Sequence, residues 1–80
     1  MKKAEIGEII AGLGGIGNIK EAEGCVTRIR ARVADPGLVS ATALKKAGAF
    51  GVVQAGNSVQ VVVGGTAETL AEDIQDLLPE

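Results

Sequence analysis

The stretch Thr27-Arg28-Ile29-Arg30-Ala31-Arg32-Val33 alternates basic and apolar residues without a break. Successive side chains on a strand point to opposite faces. Ile29, Ala31 and Val33 therefore share one face, and Arg28, Arg30 and Arg32 share the other. One face is apolar and one is solvated, which predicts an antiparallel sheet covered on a single side.

Working upstream, residues 19–23 form a short candidate strand, with Gly24 and Cys25 at the turn into the arginine strand. Residues 2–13 read as a helix, because Ile6, Ile9, Ile10 and Leu13 recur at helical spacing. Gly12, Gly14, Gly15 and Gly17 end it, since glycine supplies the positive φ of a helix exit. Working downstream, Asp35-Pro36-Gly37 predicts a turn. Ser40 is placed to cap a helix reaching about Ala47, with Leu44 and Ala47 inward and Gly48 just beyond its end. The β-rich runs 51–55 and 58–63 flank Gly56-Asn57, a hairpin signal. Gly64-Gly65 follows, and Thr66 is expected to cap a last helix over about 67–78. Its stripe is Leu70, Ile74, Leu77 and Leu78, widened by Ala67 and Ala71, and Pro79 forbids continuation. The predicted fold is α+β: a four-stranded, mostly antiparallel sheet with three helices on one face, ordered α-β-β-α-β-β-α.

Composition narrows the function. At 80 residues the chain suits one domain, 1–80, which buries roughly 60–65% of its unfolded surface. A deep, enclosed pocket is hard to build at that size. With one Phe and no Trp or Tyr, the core must come from Val, Ile, Leu and Ala. There is no His, which removes the commonest general base and transition-metal ligand. One Cys makes neither an internal disulfide nor, without His, a zinc site. A net charge of −2 argues against a nucleic-acid footprint over the whole surface. No secretory signal or membrane span is expected, and the lone Cys agrees with a reducing, cytoplasmic setting.

Gly12-Leu13-Gly14-Gly15-Ile16-Gly17 spells G-x-G-x-x-G. A dinucleotide site needs a strand before that motif and a helix after it, and here the order is reversed. The acids Glu68, Glu72, Asp73 and Asp76 read as the soluble face of the last helix and lack calcium-loop spacing. The run Val59–Val63, interrupted only by Gln60, reads as a core strand.

Cys25-Val26-Thr27-Arg28-Ile29-Arg30-Ala31-Arg32 is chemically richer. It gathers three of the chain's eight basic residues around its only thiol. The thiolate is the reactive form of cysteine, and nearby guanidinium groups favour it. A turn entering a strand can aim backbone amides at an anion. Thr27 adds a hydroxyl, and Arg28 and Arg30 carry forked donors that match phosphate oxygens. This set suits a thiol that attacks phosphorus and then holds a phosphoryl group. The plainer reading makes Cys25 a small buried hydrophobe and the arginines a solvated strand face.

At these residues the chain resembles the IIB domain of the glucose/N-acetylglucosamine family of the bacterial phosphoenolpyruvate-dependent sugar phosphotransferase system. The family pattern runs from an Asn and an apolar residue, across five residues, to Cys-x-Thr-Arg and an alternating strand ending in an acid. Asn18, Ile19, Cys25, Thr27, Arg28, Ile29, Val33 and Asp35 match it. The likeness continues through Leu44-Lys45-Lys46, Gly48, Gly51, Ala55-Gly56, Val59-Gln60 and Gly64. Ala31 departs from it, standing where the family usually has a larger apolar residue.

The resemblance implies that Cys25 takes a phosphoryl group from the phosphohistidine of a IIA protein and gives it to a sugar held by the membrane-embedded IIC permease. Val26, Thr27 and Arg28 would bind the phosphoryl group. Arg28 and Arg30 would serve its passage to the sugar, glucose or N-acetylglucosamine. The resemblance implies neither a cofactor nor a metal, and places the chain in the cytoplasm at the inner membrane face through IIC. Family members are often joined to IIC, so a separate subunit or an excised domain is expected here. Rival readings are a regulatory or protein-binding domain with Cys25 incidental, a single-cysteine redox sensor without a resolving Cys, and nucleic-acid binding without an aromatic platform.

Overall fold

The alternating stretch becomes strand β2 (Arg28–Val33) in the computed structural model, which describes residues 5–79. Ile29, Ala31 and Val33 are buried, and the three arginines are exposed. The other strands are β1 (Ile19–Cys25), β3 (Gly51–Ala55) and β4 (Ser58–Val62). The helices are α1 (Ile6–Gly12), α2 (Ala41–Lys46) and α3 (Ala67–Leu77). Short 3-10 turns lie at Ile16–Asn18 and Pro36–Leu38. The element order is the α-β-β-α-β-β-α expected.

The sheet order is β1-β2-β4-β3, and every neighbouring pair is antiparallel. Helix α3 packs on β1 and β2, α2 packs on β3, and α1 packs on α2 and α3. Ile9, Leu13, Ile29, Leu44, Ile74, Val33, Val59 and Val61 are the largest fully buried side chains. Under α3 the sheet presents small residues: Ala22, which pairs with Ala31, and Gly24. A Cβ on Gly24 would collide with the Glu68 Cα, so glycine is what lets the end of β1 meet the first turn of α3. The same helix covers part of the β1 edge, where the Ala22 amide donates to Gln75 Oε1 at 3.0 Å.

The glycine-rich exit from α1 ends on a buried polar residue. Gly14 and Gly15 have φ of 102° and 97°, which a Cβ would resist. The chain then returns Asn18 under the sheet. Asn18 Nδ2 donates to the carbonyls of Leu13 at 2.8 Å and Asp35 at 3.0 Å. The Asp35 amide donates back to Asn18 Oδ1 at 2.8 Å. One side chain thus joins the end of α1, the start of β1 and the exit of β2. The motif carries no strand before it and a strand after it, so it is a helix exit.

Several expectations need correction. Strand β1 runs on through Cys25, so the turn is Val26-Thr27, two residues later than Gly24-Cys25. Val63 lies just beyond β4. The expected helix start at residues 2–4 lies outside the described residues, and α1 begins at Ile6. Thr66 occupies the N-cap position of α3 without a side-chain bond. Its φ of −92° and ψ of 4° are not the extended values that turn a cap hydroxyl back onto the helix. Leu77 is 59% exposed rather than part of the stripe. At about 100° per residue it sits some 80° round from the line through Ala67, Ala71, Ile74 and Leu78. The Ser40 cap is as expected, its Oγ accepting from the Ala43 amide at 3.1 Å.

Replacing Asn18 by Ala strands the buried Leu13 carbonyl and the part-buried Asp35 amide. Urea unfolding of Asn18→Ala is expected to show a loss of about 2–3 kcal/mol, with unchanged cooperativity.

Candidate functional site

The site begins with a two-residue turn. Cys25 ends β1 and pairs with Arg28, which begins β2. Only Val26 and Thr27 lie between them. Val26 takes a φ of 52°, the only positive φ of a non-glycine residue among those described. A β-branched residue there is strained. Its side chain is 74% exposed, so nothing in the core compensates it by burial. The turn is anchored from behind. Thr27 O accepts from the amides of Val63 and Gly64, both at 3.0 Å. Among the described residues, the amides of Val26 and Thr27 themselves meet no acceptor within the protein.

The open face of the sheet carries the rest in rows set by the register. Cys25 stands opposite Arg28, and Arg28 opposite Val62. The next row is Glu23, Arg30, Gln60 and Val53, and the third is Glu21, Arg32, Ser58 and Ala55. Cys25 is exposed, which removes the reading of a buried core thiol. Arg28 Nη1 donates to Gln60 Oε1 at 2.8 Å, diagonally across the rows. That bond steadies one end of the guanidinium and leaves its other donors without a partner in the protein among the described residues. Arg30 shares the face one row further from Cys25, with Gln60 as its β4 neighbour.

The expected residues Cys25, Val26, Thr27 and Arg28 therefore meet at one hairpin end, and Arg30 lies one row away. Gln60 escaped the sequence reading, where it was an interruption in an apolar strand. Its signal was available: in β4, Ser58, Gln60 and Val62 alternate with the inward Val59 and Val61. Phe50 was also missed. Its amide donates to the Val62 carbonyl at 2.8 Å, and its ring lies 3.4 Å from where a Gly64 Cβ would stand. The chain's only aromatic residue is thus 63% exposed at the hairpin end of the sheet.

No enclosed chamber accompanies these groups. Glu21, Glu23, Arg30, Arg32, Ser58 and Gln60 surround an open depression of about 180 Å³. A second groove, about 300 Å³, runs between β1 and α3 past Glu23, Glu68, Glu72 and Asp76. Among the described residues no cluster of His, Cys, Asp or Glu is arranged to hold a metal ion, and no helix is long and apolar enough to cross a membrane. The arrangement suits chemistry on a large partner that brings its own substrate.

Comparison with known proteins gives this geometry a context. Residues 7–39 match the family described as phosphotransferase system, EIIB. The N-acetylglucosamine-specific EIIB component of the phosphotransferase system of Streptomyces coelicolor is 55% identical over 76 residues, covering 95% of this chain and 96% of that protein. The N-acetylglucosamine-specific EIICB component of Bacillus subtilis is 46% identical over 68 residues, 84% of this chain. The glucoside-specific EIICBA component of Staphylococcus carnosus is 37% identical over 71 residues, 89% of this chain. The chain spans only 15% and 10% of those two longer relatives. A crystal structure of one domain of the phosphotransferase-system IIabc component from Clostridium difficile shares the fold, with a TM-score of 0.74 at 21% identity over 94% of this chain and 85% of that one.

The strained Val26 yields a direct expectation. Val26→Gly relieves the positive φ, worth roughly 1–3 kcal/mol, against a glycine entropy cost of about 0.5–1 kcal/mol. Thermal or denaturant unfolding is expected to show a gain of about 1 kcal/mol. A loss of stability would mean that the Val26 backbone is not strained.

Proposed function

The chain belongs to the EIIB family of the phosphotransferase system, and from that premise we propose that it carries phosphoryl groups on Cys25, taking them from a IIA phosphohistidine and passing them to a sugar during uptake. The observation that carries the reading is an exposed thiol paired with Arg28 across a turn whose two amides have no internal acceptor.

In the first step the Cys25 thiolate attacks phosphorus. An S–P bond forms as the donor's N–P bond breaks, and the imidazole leaves with that electron pair. In the second step a sugar hydroxyl oxygen attacks the same phosphorus. The S–P bond breaks, the thiolate is restored, and the hydroxyl proton goes to a base outside this chain, which has no histidine. Amides at Val26 and Thr27 supply hydrogen bonds to the phosphoryl oxygens, as preorganised donors do for developing charge. Arg28, steadied by Gln60 and paired with Cys25 across the strands, would offer its remaining donors to the phosphoryl group. Arg30 joins it when the sugar arrives.

Relatives whose names combine the C, B and A components support IIA and IIC as the kinds of partner. The exposed Val26 and Phe50 and the part-buried Val62 give those partners an apolar rim to dock on around the thiol. Docking on IIC would bring this chain, as a single IIB unit, to the inner membrane face. The proposed sugar is N-acetylglucosamine, the specificity of the Streptomyces relative that matches over nearly its full length. No observation favours the rival reading, an interaction domain with Cys25 incidental.

Intact-mass measurement tests the first step, with phosphoenolpyruvate, the general phosphotransferase proteins and a glucose-class IIA protein as donors. One phosphoryl adduct on Cys25, absent in a folded Cys25→Ser chain, is expected. No adduct with several competent donors would overturn the reading. Arg28→Lys and Arg30→Lys are expected to accept the group normally and to fail in delivery to N-acetylglucosamine or glucose with IIC present, because Lys cannot reproduce the guanidinium fork. Normal sugar phosphorylation by both variants would remove the arginine role.

A further inference from the structure

The register of β1 on β2 builds a ladder of charge. Arg32 stands opposite Glu21, and Arg30 stands opposite Glu23. Arg28 breaks the series, because its partner is Cys25. A phosphoryl group on Cys25 would carry roughly −1.5 to −2 charges at neutral pH, as on other phosphorylated side chains. It would complete the ladder as a third acid. Glu23 would then be its neighbour on the same strand face, about 6.8 Å away at two strand steps. Both would draw on Arg30, Glu23 from directly opposite and the phosphoryl group from the diagonal.

We propose that Glu23 is a positioning residue that acts through Arg30 and by direct repulsion to hold phosphorylated Cys25 at high transfer potential. The proposal rests on the carrier reading of Cys25. Glu23 raises the free energy of the charged carrier in two ways. Its own carboxylate repels the phosphoryl group, and it keeps Arg30 shared. Both effects weaken the hold of this chain on a group that it must give away. Unloaded Cys25 carries less charge than the phosphorylated residue even as a thiolate, so Glu23 acts mainly on the loaded state. Glu21 offers a built-in control. It has the same charge and the same kind of cross-strand partner, one row further from Cys25.

The test is the equilibrium of phosphoryl exchange between a IIA protein and the whole chain, in which the donor's N–P bond is exchanged for the S–P bond. Occupancy of both proteins is read by intact mass at about 10 mM and 1 M salt. Changed docking alters how quickly the equilibrium is reached and not where it lies, so the position of equilibrium isolates the charge effect. Glu23→Gln is expected to shift it toward the loaded chain about fivefold at low salt, and by little at 1 M, where screening acts within about 3 Å. Glu21→Gln is expected to shift it less than about twofold, and Glu23→Asp, which keeps the charge, to behave like the parent chain. An unshifted equilibrium in Glu23→Gln, an equal shift in Glu21→Gln, or a shift that persists at 1 M salt would overturn the proposal while leaving the carrier step standing. Absence of any Cys25 adduct in the parent chain would overturn the carrier reading and this inference with it.

Discussion

Two residues, Val26 and Thr27, determine how the first hairpin pairs, and both the core and the site depend on that pairing. A strand shifted by one residue exchanges its faces. In this chain such a slip would turn Arg28, Arg30 and Arg32 into the core and expose Ile29, Ala31 and Val33. The turn avoids it by holding Cys25 directly opposite Arg28. The positive φ at Val26 is the local consequence. A glycine would relax the turn, and the chain instead keeps a β-branched side chain standing out beside the thiol. Hydrogen bonds from Val63 and Gly64 to the Thr27 carbonyl hold the strained turn to the end of β4. The Cys25 thiol therefore sits on an anchored element although it borders a turn.

Two further constraints mount that hairpin on the body. Gly24, immediately before Cys25, allows the backbone of β1 to touch the first turn of α3. At the far end, Asn18 ties the exits of α1 and β2 together, so β1 is held at both ends. Between those ends Ala22 and Ala31 leave room for α3 to lie close on the sheet. Here the small residue at position 31 is part of a consistent design, because its cross-strand neighbour is equally small. The resulting scaffold needs little volume, which suits a chain of 80 residues with a single aromatic side chain left outside its core.

The fold was largely legible because its strongest signals are periodic. Alternation in β2 and helical spacing in α1 and α3 both record which side is wet, and burial follows them closely. What stayed hidden depends on backbone values that no single residue type dictates. Thr66 has the right chemistry for a cap and the wrong dihedral angles to use it. Leu77 has the right polarity for the stripe and lies too far round the helix in its last turn. Cys25 and its arginines could be singled out as candidates from composition and spacing, since the chain has one thiol and few places to gather guanidinium groups, while their separate roles were implied only by the family resemblance. The alternation in β4 could place Gln60 on the outer face but could not show its bond to Arg28, which comes from β4 lying beside β2, a pairing across 32 residues of sequence.

The open face explains why so small a chain can do group transfer without a pocket. A carrier that enclosed its phosphoryl group would have to open twice in each cycle, once for the donor and once for the acceptor. Here the thiol stands at the end of a hairpin, in reach of a partner approaching either the sheet face or the apolar rim of Val26 and Phe50. On the proposed reading of Cys25 and Glu23, the chain itself supplies a balance of charge: enough donors at the turn to stabilise the incoming group, and enough acid nearby to prevent it from settling. The alternation of arginines against Glu21, Glu23 and Cys25 contains both halves of that balance in one strand pairing. If Cys25 carries the phosphoryl group as proposed, the same register that buries the core also sets how tightly that group is held.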